Sequence, residues 1–104
     1  MTNFQTSVVE QLRRVGRSAG IDLVFTPTGA HACSRFTWRA RDAILLVGDG
    51  ELILELDGEH YFESPNDPAH ERVREFVRFV RLCLEGVPPR EARREAKDNA
   101  KHAS

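Results

Sequence analysis

Asp57-Gly58 stands between two alternating runs, Glu51 to Leu56 and Glu59 to Glu63, and this coincidence of turn signal and strand period constrains the fold more than any other feature. Asp-Gly accepts the left-handed backbone of a type I′ turn, whose twist matches that of the strands it joins. A two-residue turn also sets the register: Leu56 faces Glu59, Glu55 faces His60, Leu54 faces Tyr61, Ile53 faces Phe62 and Leu52 faces Glu63. One face then carries Leu52, Leu54, Leu56 and Tyr61 and is the expected core face. Glu59 and Glu63 lie at its margin, where charge discourages pairing with foreign strands. The opposite face carries Ile53 beside Phe62, bordered by Glu51, Glu55 and His60. An apolar pair inside an acidic rim fits a small protein-binding spot.

The flanking sequence supplies the rest of the fold. Phe4, Val8, Leu12, Val15 and Ala19 recur at three- and four-residue spacing, which predicts an amphipathic helix stopped by Gly20. Ile21 to Thr26 reads as a strand ended by Pro27-Thr28-Gly29. Phe36, Trp38 and Ala40 alternate with Arg35, Thr37, Arg39 and Arg41, and the pattern breaks at Arg41-Asp42, where a turn or bulge is expected. Ala43 to Val47 is apolar throughout, as in a central strand covered on both faces. Asp67 is placed to cap and Pro68 to open a helix reaching Glu85, with Val73, Phe76, Val77, Val80, Cys83 and Leu84 on one stripe and Gly86 as its stop. Beyond Val87-Pro88-Pro89 only Ala92, Ala96 and Ala100 recur, so a marginal helix or solvated tail is expected. The expected class is α+β: an N-terminal helix, an antiparallel meander of four to five strands and a long C-terminal helix packed on the sheet. Residues 1–87 form the domain and 88–104 a charged tail.

With 104 residues there is room for one core, which buries about 60–70% of the unfolded chain's surface. The N-terminal residues lack the basic and apolar stretches of a secretory signal, and no apolar run is long enough to span a bilayer. The expected location is cytoplasmic, without membrane attachment. Cys33 and Cys83 are too few for a disulfide framework and read as reduced thiols.

Charge is divided sharply along the chain. Asp49 to Asp67 holds seven carboxylates and no Lys or Arg, while the segments before and after it are each basic by three units. Such a division bears on steering and association rather than on fold. Arg74, Arg78 and Arg81 form a row on the last long helix, and Arg35, Arg39 and Arg41 one on a strand, either of which could grip phosphate. Interleaved Glu71, Glu75 and Glu85 and a sequence pI of about 6.4 weigh against nucleic acid. In topology alone the order helix, strands, helix is similar to that of a double-stranded RNA-binding domain. That family opens its last helix with phosphate-contacting lysines, and Pro68-Ala69-His70-Glu71 stands here.

His31, Cys33, His60 and His70 lack the paired spacing of a structural zinc site, and Gly48-Asp49-Gly50 lacks the length of a phosphate or calcium loop. No nucleophile elbow or orienting third group accompanies the thiols. No enzyme activity, metal or cofactor is therefore expected. The expected function is that of an inhibitor-, immunity- or chaperone-like protein-binding module. It would offer an acidic hairpin, with Glu51, Ile53, Glu55, His60 and Phe62, to a basic partner or a dimer mate. Arg74, Arg78 and Arg81 are the candidate contacts for that mate or, in the alternative reading, for an anion or nucleic acid.

Overall fold

The computed structural model describes residues 1–63 and 70–102. The chain is α+β: helix α1 (Asn3–Ser18) is followed by strands β1 (Thr26–Thr28), β2 (His31–Trp38), β3 (Arg41–Val47), β4 (Leu52–Leu56) and β5 (Glu59–Glu63), then helices α2 (His70–Glu85) and α3 (Pro89–His102). The strands form one antiparallel meander in the order β1-β2-β3-β4-β5. The expected cap at Asp67 and first-turn Pro68 lie outside the described residues.

Helix α1 begins with a capping box. Thr2 Oγ1 accepts from the Gln5 backbone N–H at 3.1 Å, and the Thr2 N–H donates to Gln5 Oε1 at 2.9 Å. The same Gln5 side chain donates from Nε2 to the carbonyls of Ala30 and Val47, at 2.8 and 3.0 Å, pinning the first turn of α1 to the end of the sheet. At its other end Gly16 allows Leu23 to pack against the helix, since a Cβ there would lie 2.8 Å from Leu23 Cγ. The segment 21–25 uses this contact to turn back under α1 instead of pairing. The strand expected over Ile21 to Thr26 is thus displaced to Thr26–Thr28, and Pro27 is tolerated because β1 is an edge.

The β2–β3 turn falls at Arg39-Ala40, two residues before the expected break. Both residues have left-handed backbones (φ 50° and 61°) with neither Gly nor Asn to mark them. The Arg39 guanidinium lies 4.8 Å from the centre of the Trp38 ring and against Gly86, where it stands 2.8 Å from the position a Cβ would take. Gly86 (φ 106°) closes α2 with the paired bonds of a Schellman motif, its N–H to Cys83 and that of Val87 to Leu82. Arg39 and Gly86 therefore lock the hairpin onto the C-terminal end of α2.

All three helices contribute to one core cluster with a single face of the sheet. Val8, Val9 and Leu12 of α1, Phe76, Phe79 and Val80 of α2, and Ala92 and Ala96 of α3 join Ala43, Leu45, Val47, Leu52, Leu54, Leu56 and Phe62. Of the two expectations for the residues after Pro88, a marginal helix or a solvated tail, the first describes α3, and its Ala92 and Ala96 join the core. Its small alanines let α3 approach closely, and an ion-pair network fastens it. Glu75 of α2 accepts from Arg93 of α3 at 3.0 Å and from Arg72 at 3.1 Å. Burial lowers the pKa of Arg93, against the opposing pull of Glu75, and its guanidinium sits 4.0 Å over the ring of Phe62.

Candidate protein-binding face

The helices occupy one side of the sheet, and the register defines what lies on the other. Across the strands, Cys33, Leu46 and Ile53 form one row, and Arg35, Ile44, Glu55 and His60 the next. Ile44, Leu46 and Ile53 belong neither to the core cluster nor to the residues packed against it. Cys33, Ile44 and Leu46 are half-buried, and Ile53 is 8% exposed. At the β1 flank Val24 is 61% exposed and borders a shallow hollow of about 290 Å³ that also touches Cys33 and Arg35. An aliphatic strip therefore runs along the centre of a face that no described helix covers.

Charge on this face is split across the strip. Arg35 is exposed on the β2 side and has no ion pair among the described residues. Glu55 lies on the β4 side, with its carboxylate 3.9 Å from His60 Nε2. Ile44 separates the two, so Arg35 and Glu55 are two strand spacings apart, about 10 Å between backbones, and form no ion pair with each other. Glu51 lies further along, 3.1 Å from His31 Nε2. At the hairpin tip Asp57 accepts from Arg41 Nε and from the Asp42 backbone N–H, both at 2.9 Å. These bonds, Arg41's first, hold the Asp57 carboxyl below its ordinary range and raise Arg41.

The expected acidic spot is only partly assembled. Glu51, Ile53, Glu55 and His60 do share the open side of the β4–β5 hairpin, but Phe62 does not. A bulge between Leu54 and Glu55 shifts the register, so Leu54 pairs with Phe62 and Ile53 with Glu63. Phe62 is 1% exposed and packs on Phe76 and Phe79, with ring centres 4.9 and 5.6 Å away. The Asp57-Gly58 turn itself forms as expected, with Leu56 opposite Glu59 and Glu55 opposite His60. The extra residue enters beyond it, where an aromatic in the core outweighs a regular ladder. A greasy tip formed by Ile53 and Phe62 is therefore ruled out.

On α2, Arg74 and Arg81 are exposed, and Arg81 lies 3.5 Å from Glu85. Arg78 is half-buried, and its Nε has no hydrogen-bond partner among the described residues. Arg35, Arg39 and Arg41 do not share one strand side, because Arg39 is in a turn and Arg41 starts β3. Burial pushes the Cys83 thiol up to about 12, which keeps it protonated and poorly nucleophilic. Among the described residues no group of three or more His, Cys, Asp or Glu side chains is arranged to hold a metal ion. No helix among them is long and apolar enough to cross a membrane.

Ile44 and Leu46 are the residues that sequence reasoning missed, having read them as covered on both faces. The available signal was connectivity. A meander joined by hairpin turns has no crossover that could carry a helix over its second face, and helices at the chain ends can share one side. Comparison with protein-family models, with curated proteins and with solved structures finds no match.

Proposed function

We propose that this protein is a non-enzymatic protein-binding module whose contact surface is the open face of the sheet, centred on half-buried Ile44 and Leu46, with buried Ile53 beside them. The observation that carries this reading is an aliphatic strip on the central strands, outside the core cluster and flanked by Arg35 on one side and Glu55 on the other. Apolar anchors inside a charged rim are how small interfaces combine affinity with steering. The acidic side of the β4–β5 hairpin is the rim, and Ile44 and Leu46, rather than buried Phe62, are the anchors.

The test is covalent capture from the native host with the wild-type chain and with Ile44→Asp combined with Leu46→Asp, circular dichroism showing both folded. Loss of captured protein with the double variant, and retention with Arg74→Ala, Arg78→Ala and Arg81→Ala together, is the expected result. Identical capture by wild type and the sheet-face variant overturns it.

A further inference from the structure

Resting on the binding face just described, we infer that its occupant is a second copy of the same chain, related by a two-fold axis that runs in the plane between two stacked sheets, near the direction of β3. The charge pattern selects this axis. A two-fold along β3 lays β3 on β3 and carries β2 of one copy over β4 of the other. Residues of one cross-strand row stay in that row, so Ile44 meets Ile44, Arg35 meets Glu55, and Cys33 meets Ile53, each twice. Arg35 and Glu55, which form no ion pair with each other within one copy, become partners across the contact.

The other in-plane two-fold, across the strands, stacks β2 on β2 and β4 on β4. That arrangement brings Arg35 toward Arg35 and Glu55 toward Glu55, and charge selects against it. Packed sheets cross at about −30°, which an axis inclined about 15° to β3 provides. One strand spacing from the axis, this crossing offsets partners by about 2.4 Å, within reach of an arginine side chain. The five strands span about 24 Å, and about six residues of strand add about 20 Å. Two such faces bury about 1,000 Å², the lower end for a specific interface.

Sedimentation velocity of the full chain from about 1 µM to about 1 mM tests the inference. The wild type is expected to dimerise in that range. Arg35→Glu alone and Glu55→Arg alone each set like charges opposite one another twice and weaken the dimer by about tenfold to a hundredfold. Mixed one to one, the two variants are complementary at both pairs, and a heterodimer of near wild-type affinity is expected. Circular dichroism checks that each variant is folded.

A wild type that stays monomeric throughout overturns the inference, as does a mixture no tighter than its separate components. So does a dimer weakened by Arg74→Ala, Arg78→Ala and Arg81→Ala but indifferent to Arg35 and Glu55. A monomeric wild type whose captured protein still depends on Ile44 and Leu46 removes the self-contact alone. Capture indifferent to those residues removes the face itself.

Discussion

Phe62→Ala separates a buried anchor of the core from an exposed anchor of an interface. The ring is 1% exposed, packs edge-on against Phe76 and at a tilt against Phe79, and lies under the Arg93 guanidinium at 4.0 Å, so truncation opens a cavity bounded by aromatic neighbours. Loss of transfer energy plus the unrelaxed cavity costs about 3–5 kcal/mol. A domain of this size has about 5–15 kcal/mol in total, so the variant should lose a large share of it, with Tm lower by about 12 °C or more. Phe62→Leu restores most of the volume but loses the ring contacts, at about 1–2 kcal/mol. Urea unfolding followed by far-ultraviolet circular dichroism, at one dilute protein concentration so that self-association does not enter, reads both values. A change below about 1 kcal/mol for Phe62→Ala would refute the shifted β4–β5 register, because only a surface position tolerates that loss.

Arg93→Ala removes the clamp between α3 and α2; with about a third of the arginine side chain exposed and Arg72 still paired to Glu75, solvent-discounted destabilisation of about 1–2 kcal/mol is expected, with the fastest gain in amide exchange along α3. Asp57, depressed chiefly by its bond to Arg41, contributes stability that is present above its ordinary value of 3.8 and is lost as pH falls through the depressed one. The gap in urea midpoint between wild type and Asp57→Asn should therefore close below that pH, and a gap constant down to strongly acidic pH would contradict the bond. A thiol-alkylating reagent at neutral pH and dilute protein, where self-association does not enter, should label half-buried Cys33 in the native protein and reach Cys83 only on unfolding, because burial holds the Cys83 thiol at about 12; mass spectrometry counts the labels.

Where periodicity and punctuation agree, the fold was legible in the residues. The spacing of Phe4, Val8, Leu12 and Val15 gives α1, the stripe from Val73 to Leu84 gives α2, and Asp57-Gly58 gives the β4–β5 turn. Features set by tertiary contact were not legible. Arg39-Ala40 carries no turn signal, because its left-handed backbone is held by Trp38 and by α2's end at Gly86 rather than by local preference. Ala92 and Ala96 look too small to dock a helix, yet their smallness is what lets α3 approach, and Arg93 and Glu75 complete the contact. Of the site, Glu51, Ile53, Glu55 and His60 were read onto one face from alternation alone. Ile44 and Leu46 were hidden by an apolar run whose composition is the same whether its second face meets a helix or nothing.

The bulge beside Leu54 links the two halves of the molecule. With a regular ladder Tyr61 would oppose Leu54 and Phe62 would join Ile53 outside, leaving a large aromatic on an edge strand. Edge strands bearing such residues invite strand addition by any extended chain. The inserted residue sends Phe62 inward to Phe76 and Phe79 and leaves His60 of β5 on the open side, opposite Glu55. The apolar strip is thereby confined to the central strands β3 and β4, away from the sheet's margin. Confinement favours an occupant that lies flat across the face over one that zips along its edge. It also places the strip on the proposed two-fold axis, with Arg35 and Glu55 in one cross-strand row on either side of β3. One register shift thus supplies the core with its central ring and shapes the face on which the proposed partner would lie.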